Sequence, residues 1–336
     1  MSNNSALIGV TKYHGTGNDF IIVDATNRIP NRRAFAKVHC NRDTGVSHDT
    51  TDRRGADGVL FLTLKQQRTP IRVEMKLIQP DGSTAAMCGN GARVAAAWAA
   101  EREEATKVIV ETPAGARRAT LSDTTVTIEM GTPAFTPSQV PLATDRDTAL
   151  INEQVGSLSV TAVNTGVPHA VAMVDDIDSI SLNDIAPPIR HASMFPAGVN
   201  VTLGELTGAA QFRQRTYERG VESETRSCGT GAVAVGAVAR RLGIVETDTP
   251  ITVRPPGGEL RVSVVSDQSA TLTGSVEREF QTELSVVTES PTHSKTSSTT
   301  QPGSSDSDPD SDSSSGPGSE QNPKSVSDSL QDNVTR

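Results

Sequence analysis

Aromatic side chains make up only 3% of this 336-residue chain. Its cores must be built from Ala, Val, Leu and Ile rather than from rings. Cysteine is as scarce. Cys40, Cys88 and Cys228 are the full set, an odd and small number that excludes a disulfide-stapled secreted fold. No apolar run approaches the ~18 residues of a membrane helix. Met1–Val10 has neither the basic start nor the apolar stretch of a signal peptide. Basic residues do not predominate either: the formal net charge is −9, so no concentrated basic footprint is available for nucleic acid. These absences leave a soluble protein of a reducing, cytoplasmic compartment, with no nucleic-acid or membrane partner.

Organisation follows composition. Pro291 to Glu320 contains no large apolar or aromatic residue and cannot offset its ordering entropy, so a disordered acidic Ser/Asp-rich tail is expected over 281–336. The body alternates strand-like runs with few helices. Phe20–Val23, Gly58–Leu62, Arg72–Ile78 and Lys107–Glu111 have the β-branched, apolar character of strands. Ala92–Arg102 and about Gly231–Leu242 read as Ala/Val-rich helices, the second ending at Gly243. The paired prolines in Gly131–Pro137 mark a boundary between two similar halves, an internal repeat with a period near 140 residues.

Each half contains the same short phrase. One is Met87-Cys-Gly-Asn-Gly-Ala92; the other is Ser227-Cys-Gly-Thr-Gly-Ala232. A thiol immediately before a glycine turn and a helix meets the unsatisfied N–H groups and partial positive charge of the helix start. Both favour a thiolate. The turns Gly89-Asn90 and Gly229-Thr230 can form an anion-binding nest for a carboxylate. Asn90 and Thr230 hold the matching turn position, free to bond a substrate or cap the helix. One copy could be a small buried hydrophobe. Two copies on matched scaffolds point to an acid and a base facing one another across a substrate.

Other residues carry two readings each. His169, after a Gly/Pro turn, is a structural or a site histidine. Glu218 and Arg219 form either a surface ion pair or a grip on an amino acid's ammonium and carboxylate. Asn18 is a turn residue or an amide ligand. His39, Cys40 and His48 are conceivable metal ligands, but their spacing matches no common zinc pattern.

Together the motifs Lys12-Tyr-His-Gly-Thr-Gly-Asn-Asp-Phe20, Gly55-Ala-Asp-Gly58, Pro80-Asp-Gly-Ser83, Met87–Arg93, Pro168-His169, Asn200, Tyr217-Glu-Arg-Gly220 and Ser227–Gly231 resemble the diaminopimelate epimerase family over about residues 9–280. The resemblance implies an α/β (α+β) fold of two similar domains. Each is a curved, mostly antiparallel sheet wrapped round a central helix, with the active site in the cleft between them. It implies an N-terminal domain of 1–131 plus about 270–280 and a C-terminal domain of 132–269. It further implies cofactor-independent epimerisation of LL-diaminopimelate to the meso form in lysine biosynthesis, with neither metal nor organic cofactor, by a homodimer. Cys88 and Cys228 become base and acid. His169 and Glu218 match positions near the reacting centre. Asn18, Asn200 and Arg219, with Gly89, Asn90, Gly229 and Thr230, match substrate contacts.

The chain departs from the family pattern where the far end of the substrate is held. It has Val167 where many members have Asn, Gln79 where many have Asn, and Gly58 where many have Gln. Two alternatives stay open: a proline or hydroxyproline racemase-like enzyme, and a dithiol redox protein, which would lack Cys-x-x-Cys spacing.

Overall fold

A computed structural model describes residues 6–65, 69–144, 146–246, 248–265 and 269–286. Among the described residues, four helices lie among eighteen strands. The first half contains β1 (Leu7–Gly15), β2 (Asn18–Asp24), α1 (Arg32–Cys40), β3 (Gly58–Lys65), β4 (Ile71–Ile78), β5 (Thr84–Ala85), α2 (Gly89–Glu103), β6 (Lys107–Thr112), β7 (Gly115–Leu121) and β8 (Thr125–Gly131). The second contains β9 (Glu153–Val155), β10 (Leu158–Asn164), β11 (Pro168–Val174), α3 (Leu182–Arg190), β12 (Asn200–Gly208), β13 (Gln211–Glu218), β14 (Ser223–Thr225), α4 (Gly229–Arg241), β15 (Ile251–Arg254), β16 (Leu260–Val264) and β17 (Ala270–Ser275). β18 (Glu277–Ser285) closes the described chain.

The pairing pattern repeats. β1 is antiparallel to β2, β2 parallel to β3 across α1, β3 antiparallel to β4, and β4 parallel to β6 across α2. The second half gives the same series: β10 antiparallel to β11, β11 parallel to β12 across α3, β12 antiparallel to β13, and β13 parallel to β15 across α4. Each parallel pair needs a long crossover, and a helix supplies it. β17 lies between β16 and β8, joining the two series. The return to the first half is made by β18, which pairs with β1. That places residues 281–285 in a strand, so order extends past the point where a tail was expected to begin. The alternation of apolar Phe280 and Leu284 with polar neighbours explains it: both are buried against β1 and α1. The remainder of the expected tail, 287–336, lies outside the described residues.

Period-two alternation sorts the strands into layers. In β3, Leu60 and Leu62 face α2, while Val59 and Phe61 face α1. In β12, Val201 and Leu203 join the core around α3. Helix α2 is buried along Gly89–Ala100 and α4 along Gly229–Ala239. Helices buried on every side must be enclosed, and their many alanines let strands approach closely. The low aromatic content is thus part of the architecture. α2 and α4 contribute to one continuous core, so their N-termini are brought together at its rim.

Candidate active site

Both helices start immediately after a cysteine. Cys88 has the extended backbone of an N-cap (φ −144°, ψ 114°), and its sulfur accepts the Gly91 N–H at 3.3 Å. Cys228 has the same backbone (φ −121°, ψ 106°), and its sulfur lies 3.4 Å from Thr230 Oγ1. Bare backbone is needed where the two turns meet. A Cβ on Gly229 would sit 2.8 Å from Asn90 Oδ1 and 2.8 Å from Leu272 Cδ2. Both cysteines are free and both line a cavity of about 370 Å³, together with Asn18, Asn200, Glu218, Arg219 and Thr230. That volume is typical of a small-molecule site.

The electrostatics reverse one expectation. The helix starts were expected to favour thiolates. Instead, burial pushes the Cys88 thiol up to about 12, with Glu218 adding to the rise, against the hydrogen bond from Gly91. Burial and Glu218 likewise hold Cys228 well above the ordinary thiol range. Loss of hydration at these two positions outweighs the helix start. Burial, with Asp57 as a lesser cause, also raises the Glu218 carboxyl to about 7. Thr225 donates a short hydrogen bond to it. Glu218 can therefore hold or release a proton near neutrality.

The amides and the histidine take up particular stations. Asn18 donates from Nδ2 to Asp57 at 2.6 Å, which turns its carbonyl oxygen towards Cys88 Sγ, 3.9 Å away. Asn200 Oδ1 accepts the Arg219 N–H at 2.8 Å. The Arg219 guanidinium donates to the carbonyls of Ala197 and Gly198 at 3.0 and 3.3 Å. It is not in a surface ion pair with Glu218; the two side chains part to different partners on the cavity wall. Asn90 is fully buried. Its Nδ2 donates to Ser227 O and Oγ at 3.2 and 3.1 Å, so its side chain braces the opposite turn and is not aimed at a ligand. His169 is also fully buried, with Nδ1 3.0 Å from Thr202 Oγ1 and Nε2 3.0 Å from Thr230 Oγ1. Burial, and to a lesser degree Arg219, lower it to about 3, so it is a neutral imidazole that reaches Cys228 only through Thr230.

At the far end, Val167 and Gln79 line the cavity but Gly58 does not. A Cβ on Gly58 would meet Leu77 Cδ1 at 2.6 Å, so that position is occupied by packing. Gln79 reaches across the cleft and donates to Arg219 O at 3.3 Å. Two residues there carry no local sequence signal. Arg190 and Glu222 pair at 2.8 Å across thirty-two positions of chain, and only the fold brings them together. His39, Cys40 and His48 diverge: His39 contacts Ser285 O at 3.0 Å and His48 stacks on Phe280.

The family model described as diaminopimelate epimerase matches residues 10–136 and 161–279. A diaminopimelate epimerase from Methanocella arvoryzae is 44% identical over 289 residues, 83% of this chain and 97% of the relative. One from Methanothrix thermoacetophila is 42% identical over 268 residues, 77% of this chain and 89% of the relative. Among solved structures, a hydroxyproline epimerase from Agrobacterium vitis has TM-score 0.59 at 18% identity, with 85% of this chain and 94% of that one covered. A PhzF-family phenazine biosynthesis protein from Bacillus anthracis has TM-score 0.57 at 16% identity, covering 83% and 99%. At those identities the structures speak to the fold alone.

Proposed function

Since this chain belongs to the diaminopimelate epimerase family, we propose that it interconverts LL- and meso-diaminopimelate in lysine biosynthesis by passing a proton between Cys88 and Cys228 across one stereocentre. The observation that carries the mechanism is the abutment of two cysteine-capped helix starts on one cavity. Inversion needs proton removal from one face of Cα and delivery to the other. One cysteine, as thiolate, takes the Cα proton; the other, as thiol, gives its own to the opposite face. The roles exchange in the reverse direction. Charge that develops at Cα spreads into the α-carboxylate, where the N–H groups at Gly89-Asn90 and Gly229-Thr230 stabilise it.

The remaining residues fall into order around that step. Glu218, with its carboxyl raised to about 7, exchanges protons with Cys228. Neutral His169 fixes Thr230 and through it the Cys228 thiol. Asn18, held by Asp57, orients towards Cys88. Arg219 and Asn200 receive the distal carboxylate. Excluding water from the cleft protects the carbanion-like state. Unpaired thiols of this kind suit a reducing cytoplasm. The same reading takes the enzyme as a homodimer, on family resemblance, and divides it near residue 131, on the repeated strand pairing.

The test is single substitution with isotope labelling. Cys88→Ala or Cys228→Ala should each lower kcat by at least about a thousandfold with an unaltered circular dichroism spectrum. In heavy water the LL substrate should give product deuterated at the inverted Cα. Near wild-type turnover by either variant, or product that keeps its original hydrogen, would end the two-thiol reading. Turnover of L-proline or L-hydroxyproline in place of diaminopimelate would redirect the substrate assignment.

A further inference from the structure

Gln214 of β13 is buried, and its amide oxygen has no hydrogen-bond partner. An orphaned buried carbonyl is costly, yet both amide protons are spent at the other end. Nε2 donates to the Cys228 backbone carbonyl at 3.1 Å and to Thr216 Oγ1 at 2.9 Å. The orientation is forced, because a backbone carbonyl can only accept and the atom beside it must be the amide nitrogen. Bare backbone is required opposite: a Cβ on Gly231 of α4 would fall 2.5 Å from Nε2 and 3.0 Å from Thr216 Oγ1.

From Thr216 a chain of hydrogen bonds runs back to the Cys228 sulfur. Thr216 stands opposite Thr202 of β12, with their hydroxyl oxygens 3.2 Å apart. Thr202 Oγ1 lies 3.0 Å from His169 Nδ1, His169 Nε2 lies 3.0 Å from Thr230 Oγ1, and Thr230 Oγ1 lies 3.4 Å from Cys228 Sγ. Every member is buried. Each hydroxyl has one proton, and a neutral imidazole has one N–H and one bare nitrogen. The direction of the chain therefore follows from its end. Thr216 receives a proton from Gln214, so its own goes to Thr202. Thr202 then donates to His169 Nδ1. The ring proton is left on Nε2, where it is donated to Thr230, and the Thr230 hydroxyl is left to point at Cys228 Sγ.

Asn200 is the competitor. Its Oδ1 accepts the Arg219 N–H, so its amide nitrogen faces His169 Nε2 at 3.4 Å and would favour a bare nitrogen there. In that reversed arrangement one of the Thr202 and Thr216 hydroxyl protons has no acceptor among the described residues. A buried donor without a partner costs more than a bond at 3.4 Å returns. Asn200 also borders the cavity, which gives its amide another outlet.

We propose that Gln214 is a positioning residue: its amide nitrogen closes one end of this chain with a donor, holds His169 as the Nε2–H tautomer, and so aims the Thr230 hydroxyl at the Cys228 sulfur. The effect on turnover rests on the two-thiol reading. The tautomer is measured without substrate, so failure of the proposal and failure of that reading are separable.

The experiment is proton–nitrogen correlation NMR of the full chain carrying isotope-labelled histidine, which reads the ring nitrogen that holds the proton. The signals lost in His169→Gln identify His169. Wild type should show the Nε2–H form in at least about fivefold excess. Gln214→Glu puts an oxygen where Nε2 stands. Ionised, or protonated towards the Cys228 carbonyl, that oxygen accepts from Thr216, the chain reverses, and Nδ1–H should predominate. Gln214→Met supplies neither donor nor acceptor, while the Cys228 carbonyl keeps its bond from Ala232 N. Its tautomer ratio should fall between the other two, at least about twofold below wild type, since Thr216 loses the polarising donor. An Nδ1–H ring in wild type, an unreversed ring in Gln214→Glu, or a shift in Gln214→Met as large as that in Gln214→Glu overturns the proposal. If Gln214→Glu does not fold, the other two decide: an Nδ1–H ring in wild type or an unchanged ratio in Gln214→Met overturns it. Turnover is read separately. Gln214→Glu should lower kcat at least about tenfold with KM within about twofold; a reversed ring with unchanged kcat supports the chain and counts against the two-thiol reading of Cys228.

Discussion

Replacing Glu218 by Gln should make the protein more stable at alkaline pH while disabling it. Burial raises the carboxyl from its ordinary value to about 7, with Asp57 contributing and Thr225 opposing. The folded protein therefore holds this proton more tightly than the unfolded chain does. The stability this confers is fully present below about pH 4.5, falls as pH rises, and is gone above about pH 7. A rise of some two and a half units corresponds to about 3 kcal/mol at most. The carboxyl borders an open cavity, so solvent screening reduces this to about 1–3 kcal/mol. Gln has no proton to lose and can still accept the Thr225 hydroxyl. Wild type and Glu218→Gln should thus unfold at similar urea concentrations near pH 4.5, and the variant should pull ahead by that margin between about pH 7 and 8. Circular dichroism across a urea series at each pH measures the difference, in which every other titrating group largely cancels. A gap that does not change with pH would refute a raised carboxyl at this position. Loss of kcat of at least about a hundredfold should accompany the stabilisation.

Two further predictions concern the frame of the site. Asp19 is fully buried and receives Lys12, Arg42 and Arg53; Asp19→Asn leaves the Lys12 ammonium buried beside a neutral amide and should cost about 3–5 kcal/mol in urea unfolding, whereas an unchanged midpoint would show that Glu279 suffices. Gly220 has φ +90°, and a Cβ there would lie 2.6 Å from Gln79 Oε1; Gly220→Ala should destabilise by about 1–3 kcal/mol and raise KM more than it lowers kcat, and an unaltered KM would show that the Gln79 contact with Arg219 does not shape the distal end.

Sequence and structure part company at identifiable points. The twin cysteine turns were legible because the chemistry is local: thiol, glycine and helix start are neighbours in the chain, although the helices begin at Gly89 and Gly229, ahead of the Ala92 and Gly231 read from the sequence, because the glycine turns are themselves the first helical turns. The repeat was legible because both halves carry the same order of strands. The direction of the thiol shifts was not legible, since it depends on how completely strands and loops distant in sequence exclude water from Cys88 and Cys228. The station of the Asn90 side chain was not legible for a related reason. Its partners Ser227 and Arg93 lie on two different helix starts, and a turn residue gives no sign of which way its side chain swings. Arg190 and Glu222 were missed because neither sits in a motif and their pairing exists only after α3 packs beside β14. The end of the fold was placed too early because β18 offers only Phe280 and Leu284 as apolar residues, and its pairing with β1, nearly the whole chain away, leaves no local sign.

The raised thiols bear on the mechanism more than a lowered pair would. An α-proton is a very weak acid, and a thiolate stabilised into the ordinary acidic range would be a poor base for it. A thiol held near 12 by desolvation is a strong base once it is ionised. A helix start contributes only about 0.3–1 kcal/mol to favouring the anion, less than burial removes. On the two-thiol proposal, the charge that favours ionisation must then come from elsewhere, and the substrate's own ammonium group, present only in the complex, supplies it. That would tie formation of the reactive thiolate to occupancy of the cleft and limit idle oxidation of the free enzyme.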